Sequence, residues 1–448
     1  MRDDRSAMST RLEVSLMDSV ERLVRDRESA WIEIRRDIHR NPELGFTELR
    51  TASVVAERLQ ELGFEVSVGP QVMHAPDMLG VPDTQTLERR ADELRGDNVA
   101  QPWLARMPQG QTGVVATLRK GEGPTSAYRF DMDALPLSEA GEAGHKPVDE
   151  KYISLRAGVH HACGHDGHTA IGLGFAEWLA DEESDWSGTI KLLFQPAEEG
   201  GRGAAPMASA GVVDDVDWFF AAHLGVGLPS GHIAGGSSGM LNSTKLDASF
   251  TGIPAHAGAN PEDGNNAVLA GATAALNLHA ISRVSSGSTR VNVGRISGGT
   301  ARNIIADTCE LELEVRGETV EAAQYMEARA RTVLEAAAAM QGVTCEITMV
   351  GQTVSPVQDD AAVDAVMKVA SSAAGVSQVV REFRCTGGED APFLMRRVQE
   401  RGGSACYFLI GSDLTDFHHT AHFDFDEASI AIGVRMFCGL ARHVSAVA

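Results

Sequence analysis

The segment Cys309-Glu310-Leu311-Glu312-Leu313-Glu314-Val315 alternates strictly between apolar and acidic side chains. Because successive side chains of a strand point to opposite faces, this pattern predicts a strand with one buried face and one solvated face. Another strand pattern lies before it at 289–296, and a long alanine-rich helical pattern follows it at 320–340. These three segments form the centre of a small α/β unit.

The segments on either side complete this unit. They are a strand pattern, an Ala/Leu-rich helical pattern and a last strand pattern, at 245–251, 266–281 and 345–350. The resulting order β-α-β-β-α-β is the ferredoxin-like arrangement. We therefore predict that residues 243–352 form a small domain inserted into a larger one, which consists of residues 1–242 and 353–448.

In the larger domain, short apolar strand patterns alternate with helical patterns. Strands are predicted at 64–68, 114–118, 127–130, 189–194, 218–222 and 407–410. Helices are predicted over the first 40 residues, whose apolar series includes Leu12 and Leu16, and at 48–62, 168–179, 204–210, 361–374, 392–399 and 427–441. This alternation predicts an α/β fold with a large, mostly parallel sheet covered by helices. The proline-rich segment 69–112 is predicted to be an insertion between two strands of that sheet.

Composition and charge exclude several classes of protein. The 448 residues carry 39 basic and 62 acidic side chains, a net charge of −23, which disfavours binding to nucleic acid or to an anionic membrane surface. We find no apolar run of the length of a membrane span and no apolar segment of a secretory signal near the N-terminus. The six cysteines are scattered, as is typical of a reducing compartment. We therefore expect a cytoplasmic protein without nucleic-acid or membrane partners.

The densest polar cluster is His160-His161-Ala162-Cys163-Gly164-His165-Asp166-Gly167-His168. In an extended segment Cys163 and His165 point the same way, and Gly164 lets the backbone approach closely. A thiolate with an imidazole suits zinc or another first-row divalent ion. The alternative interpretation is a histidine-rich turn with a buried thiol.

Two adjacent carboxylates, Glu198 and Glu199, directly follow the predicted strand at 189–194. Adjacent side chains diverge, so one carboxylate can bind a metal while the other serves as general base for a reacting water. On a surface, such a pair would be an ordinary solvated charge pair. The position after a strand favours a site, because open α/β sheets place their sites at the carboxyl ends of strands.

Other predicted strands also end in residues that can bind metal. His223 ends one strand, Asp131 and Asp133 close another, and the histidines at 418, 419 and 422 follow the strand at 407–410. Each histidine alone is more often a packed or surface residue than a ligand. Together they predict that several strands deliver ligands to one edge of one sheet.

The loop Gly201-Arg202-Gly203-Ala204-Ala205-Pro206 partly imitates a dinucleotide-binding loop. Proline stands where the third glycine of that fingerprint belongs, so the signal is weak. A nicotinamide-dependent oxidoreductase stays open as an alternative, although it leaves the His/Cys/Glu set unexplained.

At this point the chain resembles a known family, the two-metal aminoacylases and carboxypeptidases, in the branch of hippurate hydrolases and plant auxin-conjugate amidohydrolases. The matching motifs occur in family order from residue 36 to residue 427: Arg36-Asp37-Ile38-His39-Arg40-Asn41-Pro42-Glu43-Leu44-Gly45, Asp131-Met132-Asp133-Ala134-Leu135-Pro136, His161-Ala162-Cys163-Gly164-His165-Asp166, Pro196-Ala197-Glu198-Glu199-Gly200, Ala255-His256-Ala257, and His419 with Phe423. Two local departures are His161, which follows another histidine and stands where relatives often have methionine, and Thr420-Ala421 in place of a Ser-Pro pair.

The resemblance implies a role for each matching position. It implies a general base, a histidine that reaches the active site of a partner protomer, and a substrate-binding asparagine: Glu198, His256 and Asn303. It also implies ligands for two divalent ions, zinc or manganese: Cys163, His165, Glu199, His223 and His419. Because His418 and His422 flank His419, the choice among these three rests on the spacing to Phe423. The inserted domain is then a dimerisation or lid domain, since its open sheet edge and long helix call for a cover.

The function implied is metal-dependent hydrolysis of the amide bond of an N-acyl or N-aroyl amino acid, in a homodimer or in a heterodimer with a related subunit. Within the branch, the insertion 69–112 and the C-terminal motif 418–427 most resemble hydrolases of p-aminobenzoyl-glutamate. That substrate, or a similar aromatic conjugate of glutamate or aspartate, is therefore expected. A general aminoacylase or carboxypeptidase and a non-catalytic partner of the same fold stay open.

Two further expectations concern the substrate. An apolar slot for the aromatic group would be walled by residues of the insertion, unless these only attach it to the body: Met73, Met78, Trp103, Leu104 and Met107. The substrate carboxylate needs a cation, for which the sequence offers three candidates without choosing: Arg202, Arg302 and Arg316.

Overall fold

The computed structural model describes residues 19–96 and 101–447; Leu12 and Leu16 of the predicted first helix lie outside them. The helices are α1 Ser19–Arg40, α2 Leu49–Glu61, α3 Thr84–Glu93, α4 Gln101–Leu104, α5 Lys146–Asp149, α6 His165–Ala180, α7 Ala204–Ser209, α8 Ala267–His279, α9 Val320–Gln341, α10 Asp360–Ala370, α11 Pro392–Glu400 and α12 Ala428–Val447. The strands are β1 Glu65–Val68, β2 Val114–Lys120, β3 Thr125–Asp131, β4 Gly188–Gln195, β5 Trp218–Leu224, β6 His232–Ser238, β7 Asn242–Thr251, β8 Thr289–Gly298, β9 Thr308–Gly317, β10 Thr344–Thr353, β11 Gln378–Arg384 and β12 Ser404–Ile410.

Eight strands form one mixed sheet in the order β1-β2-β4-β3-β5-β12-β6-β11. The four central strands, β4, β3, β5 and β12, run parallel to one another. Both faces of these strands are buried, with α1, α6, α10 and α12 on one side and α7 and α11 on the other. The predicted α/β class with a large, mostly parallel sheet is therefore confirmed, and the carboxyl ends of the parallel strands meet at one edge.

Two strands of this sheet, β6 and β11, are absent from the predicted set. The β6 sequence contains two glycines and two serines, and β11 is rich in charge, so neither has the apolar pattern of a central strand. They pair with each other in parallel, and β6 runs antiparallel to β12. This addition places the end of β11 beside the metal-ligating edge, which matters for substrate binding below.

The remaining four strands form an antiparallel sheet in the order β10-β7-β9-β8. With α8 and α9 between the strands along the chain, this is the predicted ferredoxin-like arrangement. The alternation in β9 is real: Cys309, Leu311, Leu313 and Val315 are buried against both helices, whereas Glu310 and Glu312 are exposed. The domain bounds 1–242, 243–352 and 353–448 stay a prediction.

The segment 69–112 joins β1 to β2, which are antiparallel neighbours, so it is an insertion within one sheet as predicted. Its expected apolar slot is wrong. Trp103 and Met107 are each 2% exposed and belong to the core next to α2, where Trp103 Nε1 donates a hydrogen bond to Glu57 at 3.0 Å. Met73 belongs to the core on the other side of the sheet. These side chains attach the insertion to the body because burying them removes a large apolar area from water.

None of the helices that the structure describes is long and apolar enough to cross a membrane.

Candidate metal centre and active site

A cleft of about 430 Å³ opens at the carboxyl edge of the parallel strands. Its lining contains metal-ligating side chains that arrive from β5 and from the segments before α6, after β4 and after β12: Cys163, Glu198, Glu199, His223, His418 and His419. Ligand atoms of Cys163, His165 and His223 lie within 4.8 Å of one another, as do those of Cys163, Glu199 and His419. The structure therefore brings all five sequence-predicted ligands together, in two groups that share Cys163.

Local backbone geometry aims Cys163 and His165 into this cleft. Gly164 between them has φ 93°, a left-handed conformation that a side chain would disfavour, and α6 begins immediately after it. His165 Nδ1 lies 2.9 Å from the carbonyl oxygen of Asp133, so this nitrogen carries the proton and donates it. His165 Nε2 is buried without a hydrogen-bond partner and has a free lone pair for a metal.

His223 is oriented in the same way from the end of β5. Its Nδ1 donates to the carbonyl oxygen of Leu224 at 2.7 Å, and its Nε2 lies 3.5 Å from Cys163 Sγ. Burial holds the pKa of His223 well below its usual range, so the ring is neutral and able to ligate. His168, by contrast, uses both nitrogens, one toward Asp131 at 2.5 Å and one to accept from the Leu224 amide at 2.9 Å. His168 therefore supports the neighbouring ligands and is not itself available as one.

The two glutamates diverge as the sequence predicts. The carboxylate of Asp133 accepts hydrogen bonds from both of their backbone amides, at 3.0 and 2.9 Å. Glu199 Oε1 lies 3.4 Å from His419 Nε2 and otherwise has no partner, while Glu198 Oε2 lies 4.0 Å from His165 Nε2. Burial, together with the nearby carboxylates, raises the pKa of the Glu198 carboxyl well above its usual range. A raised pKa suits a group that must take up a proton during the reaction.

Of the three histidines after β12, the structure brings His419 to the cleft ligands. His419 adopts φ 65°, a strained conformation for a residue with a side chain, and its amide donates to the carbonyl of Ala162 at 2.8 Å. His418 Nε2 accepts from the Val226 amide at 2.9 Å instead. His422 contacts Glu142 at 2.6 Å, away from the ligand groups.

Two predicted site residues, His256 and Asn303, are not brought to the cleft of their own chain. Both are exposed on the four-stranded unit, and the Ala257 amide donates to the Asn303 carbonyl at 3.0 Å. His256 Nδ1 accepts from the amides of Gly258 and Ala259, each at 3.1 Å. This fixes the tautomer with the proton on Nε2, so the exposed ring presents an N–H donor.

Sequence reasoning missed Arg384 and the apolar wall beside it. Arg384 ends the unpredicted strand β11 and lines the cleft together with Phe383 and Phe417. In the part of the chain that the structure describes, its guanidinium has no hydrogen bond or ion pair. No signal in the sequence alone could single it out, because β11 lacks a strand pattern.

The three predicted arginines differ in availability. Arg316 lines the cleft but is bound by both oxygens of Glu314, at 2.9 and 3.0 Å. Arg202 donates to the carbonyls of Glu199 and Gly80, at 3.1 and 3.0 Å. Arg302 is exposed beside Asn303. Arg384 is thus the cleft guanidinium with free hydrogen-bonding capacity.

The loop Gly201–Gly203 does not offer a phosphate site. A phosphate would need the free amides at the start of α7. The amides of Gly203 and Ala204 both donate to the carboxylate of Asp390 at 2.9 Å. This internal acceptor removes the structural basis of the nicotinamide alternative.

Comparison with known proteins gives a consistent result. The model of "Peptidase family M20/M25/M40" matches residues 127–443. The chain is 46% identical over 402 residues to the indole-3-acetyl-aspartic acid hydrolase of Enterobacter agglomerans, covering 89% of this chain and 92% of that protein. The identity and both coverages are the same for one of the subunits of p-aminobenzoyl-glutamate hydrolase from Escherichia coli strain K12.

Solved structures agree with these sequence matches. The aminobenzoyl-glutamate utilization protein of Klebsiella pneumoniae matches with a TM-score of 0.82 and 39% identity, over 95% of this chain and 98% of that one. A dinuclear metal-binding M20 peptidase of Bacillus subtilis matches with a TM-score of 0.65 and 26% identity, over 95% of this chain and 100% of that one.

Proposed function

The chain belongs to peptidase family M20/M25/M40, and on that premise we propose that it is a two-metal hydrolase of N-aroyl or N-arylacetyl conjugates of glutamate or aspartate. The relatives at 46% identity are named for an indole-3-acetyl-aspartate and for p-aminobenzoyl-glutamate. Both compounds join a flat aromatic acyl group to an acidic amino acid through an amide. p-Aminobenzoyl-glutamate is our first choice of substrate.

The observation that carries the proposal is the fit of the ligand set to two ions. His165 Nε2 and Glu199 Oε1 are buried without partners, although such groups are nearly always paired in a folded protein. Thiolate, imidazole and carboxylate donors suit zinc or manganese. We assign Cys163, His165, Glu199, His223 and His419 as the ligands.

Two divalent ions held there supply Lewis-acid chemistry, because they polarise a carbonyl oxygen and make water more acidic. The carboxylate of Glu198 takes the proton of the attacking water and later passes it to the leaving amine. Its freedom for this role follows from the divergence of the two glutamates, since Glu199 alone faces His419.

A second copy of the chain, or a related protein of the same fold, supplies the oxyanion donor. His256 presents an Nε2–H outward, and neither it nor Asn303 lines the cleft of its own chain. We propose that the four-stranded unit of residues 243–352 mediates dimerisation, with His256 donating to the developing oxyanion and Asn303 binding substrate in the partner's cleft. One such donor is often worth ~3–4 kcal/mol of transition-state stabilisation.

Mixing inactive His256→Ala chains with inactive Glu198→Gln chains should therefore restore activity. In a random mixture half of the dimers are mixed and each has one complete site, so about a quarter of wild-type activity is expected for a two-fold dimer. Activity would be assayed after the chains have exchanged between dimers, which mass-tagged chains would report.

Mixing Glu198→Gln with Glu199→Gln chains is the matched control. Both substitutions damage the same chain's portion of the site, so no mixed dimer has a complete one. If the His256→Ala mixture exchanges chains and gains no activity, His256 does not act across the dimer.

Chelation tests the metal requirement. Removing the cleft ions should abolish hydrolysis of p-aminobenzoyl-glutamate, and adding back zinc or manganese separately should show which one restores kcat. Elemental analysis of the same samples gives the ion content. Full activity in a metal-free sample would refute the mechanism and favour the non-catalytic partner of the same fold.

We also infer a cytoplasmic location, because all six cysteines are free thiols, as expected in a reducing compartment.

A further inference from the structure

A second group of metal-ligating side chains lies outside the cleft. Glu139 Oε1 is 3.0 Å from His39 Nε2, 3.1 Å from His145 Nε2 and 3.5 Å from His160 Nε2. These four side chains are at most 2% exposed, and none of them lines the cleft. They come from α1, from the loop after β3, from the start of α5 and from the segment before α6.

Hydrogen bonding within the chain does not satisfy this group. One carboxylate oxygen has two lone pairs and faces three ring nitrogens. The other oxygen of Glu139 accepts from the Ser154 amide at 2.7 Å. Neither nitrogen of His160 has any hydrogen-bond partner, although the side chain is fully buried. A buried imidazole without partners calls for a group that is not part of the chain.

A cation between the four side chains accounts for the arrangement. Ligand atoms held at about 2.0–2.1 Å around one tetrahedral ion lie about 3.3 Å from one another, which matches the 3.0, 3.1 and 3.5 Å separations from Glu139 Oε1. A proton between His39 and Glu139 would also supply positive charge, but it would leave His160 unpartnered. Burial lowers the pKa of His160 to about 4, so its ring is neutral and its lone pair is available.

His39 also has the support expected of a metal-bound histidine. Its other nitrogen, Nδ1, lies 2.8 Å from the carboxylate of Asp166, which fixes the proton on Nδ1 and directs Nε2 to Glu139. Carboxylate–histidine–metal arrangements of this kind are general at zinc sites. Asp166 is in turn held by Arg35 at 2.7 Å.

We propose that His39, Glu139, His145 and His160 bind a third divalent ion, zinc by the chemistry of the donors, in a closed structural site separate from the cleft. Three imidazoles and one carboxylate complete a four-coordinate shell, which leaves no open position for substrate. The site would fix the segment that leads from His160 to Cys163. It stands independently of the proposed hydrolase function.

The test uses the full chain with its cleft disabled by Cys163→Ala, Glu199→Gln and His223→Ala together. After chelation, reloading with zinc alone and gel filtration, we expect about one tightly held zinc per chain. Adding His160→Met, an apolar replacement of similar length, should bring this to about zero. Chelator should lower the Tm of the cleft-disabled chain and should have no effect once His160 is replaced.

His422→Gln is the matched control, because His422 lies beside His145 with a ring separation of 5.8 Å but pairs with Glu142. It should keep the zinc. If His160→Met does not fold, His145→Gln replaces it, and the folded cleft-disabled chain still decides the question. No zinc in that chain, or an unchanged zinc content after His160→Met or His145→Gln, would overturn the proposal. Zinc in the cleft of the unmodified chain does not bear on it, so the two metal proposals can fail separately.

Discussion

Glu198→Gln should lower kcat for amide hydrolysis by ~10²–10⁴ while leaving the ions of the cleft bound. The amide keeps the size of the side chain but cannot take up the proton of the attacking water. Because Glu198 is not in either group that contains Cys163, its loss should leave the metal content unchanged. Steady-state kinetics with p-aminobenzoyl-glutamate and elemental analysis of the same preparation measure both quantities.

Glu199→Gln is the comparison that separates base from ligand. Glu199 Oε1 faces His419 and has no other partner, so this variant should lose or weaken one ion as well as activity. If Glu198→Gln empties the site and Glu199→Gln does not, the two roles are reversed. The neighbouring positions of these carboxylates make them a matched pair for this test.

The ligands could be predicted from the sequence because they depend on local order and on one rule of sheet geometry. Glu199 and His223 end or follow apolar strands, and parallel strands deliver their carboxyl ends to the same edge. The strand at Cys309–Val315 is equally accessible to prediction, since strict alternation has one physical meaning when one face is buried. These features need no knowledge of distant contacts.

Features that depend on distant packing could not be predicted in this way. The aromatic and methionine side chains of segment 69–112 are as apolar as those of a substrate slot, and only the fold shows that Trp103 and Met107 enter the core instead. Strand β11 is stabilised by pairing with β6 and not by an apolar pattern of its own. The cluster around Glu139 joins residues as far apart along the chain as His39 and His160, which no local spacing reveals.

The largest effect on specificity is expected at Arg384. Its guanidinium lines the cleft without any ion pair or hydrogen bond to the described chain, whereas Arg316 is already bound by Glu314. A free guanidinium can form a bidentate, charge-assisted contact with a carboxylate. We propose that it binds the side-chain carboxylate of the glutamate moiety. The unmodified chain should then prefer p-aminobenzoyl-glutamate over p-aminobenzoyl-alanine by ~10² or more in kcat/KM.

Arg384→Gln should remove most of that preference, by lowering kcat/KM for the glutamate conjugate ~10²-fold and changing the alanine conjugate only a few-fold. Arg381→Gln is the matched control, because Arg381 lies on the same strand but pairs with Asp360 and Asp364 and does not line the cleft. Equal losses for both substrates would mean that Arg384 binds the α-carboxylate, which the two conjugates share. Similar kcat/KM values for both conjugates in the unmodified chain, or a preference for acetyl over aroyl substrates, would indicate a general aminoacylase. The side-chain carboxylate is thus the group whose recognition separates a dedicated aroyl-glutamate hydrolase from a broad one, and β11 supplies the cation for it.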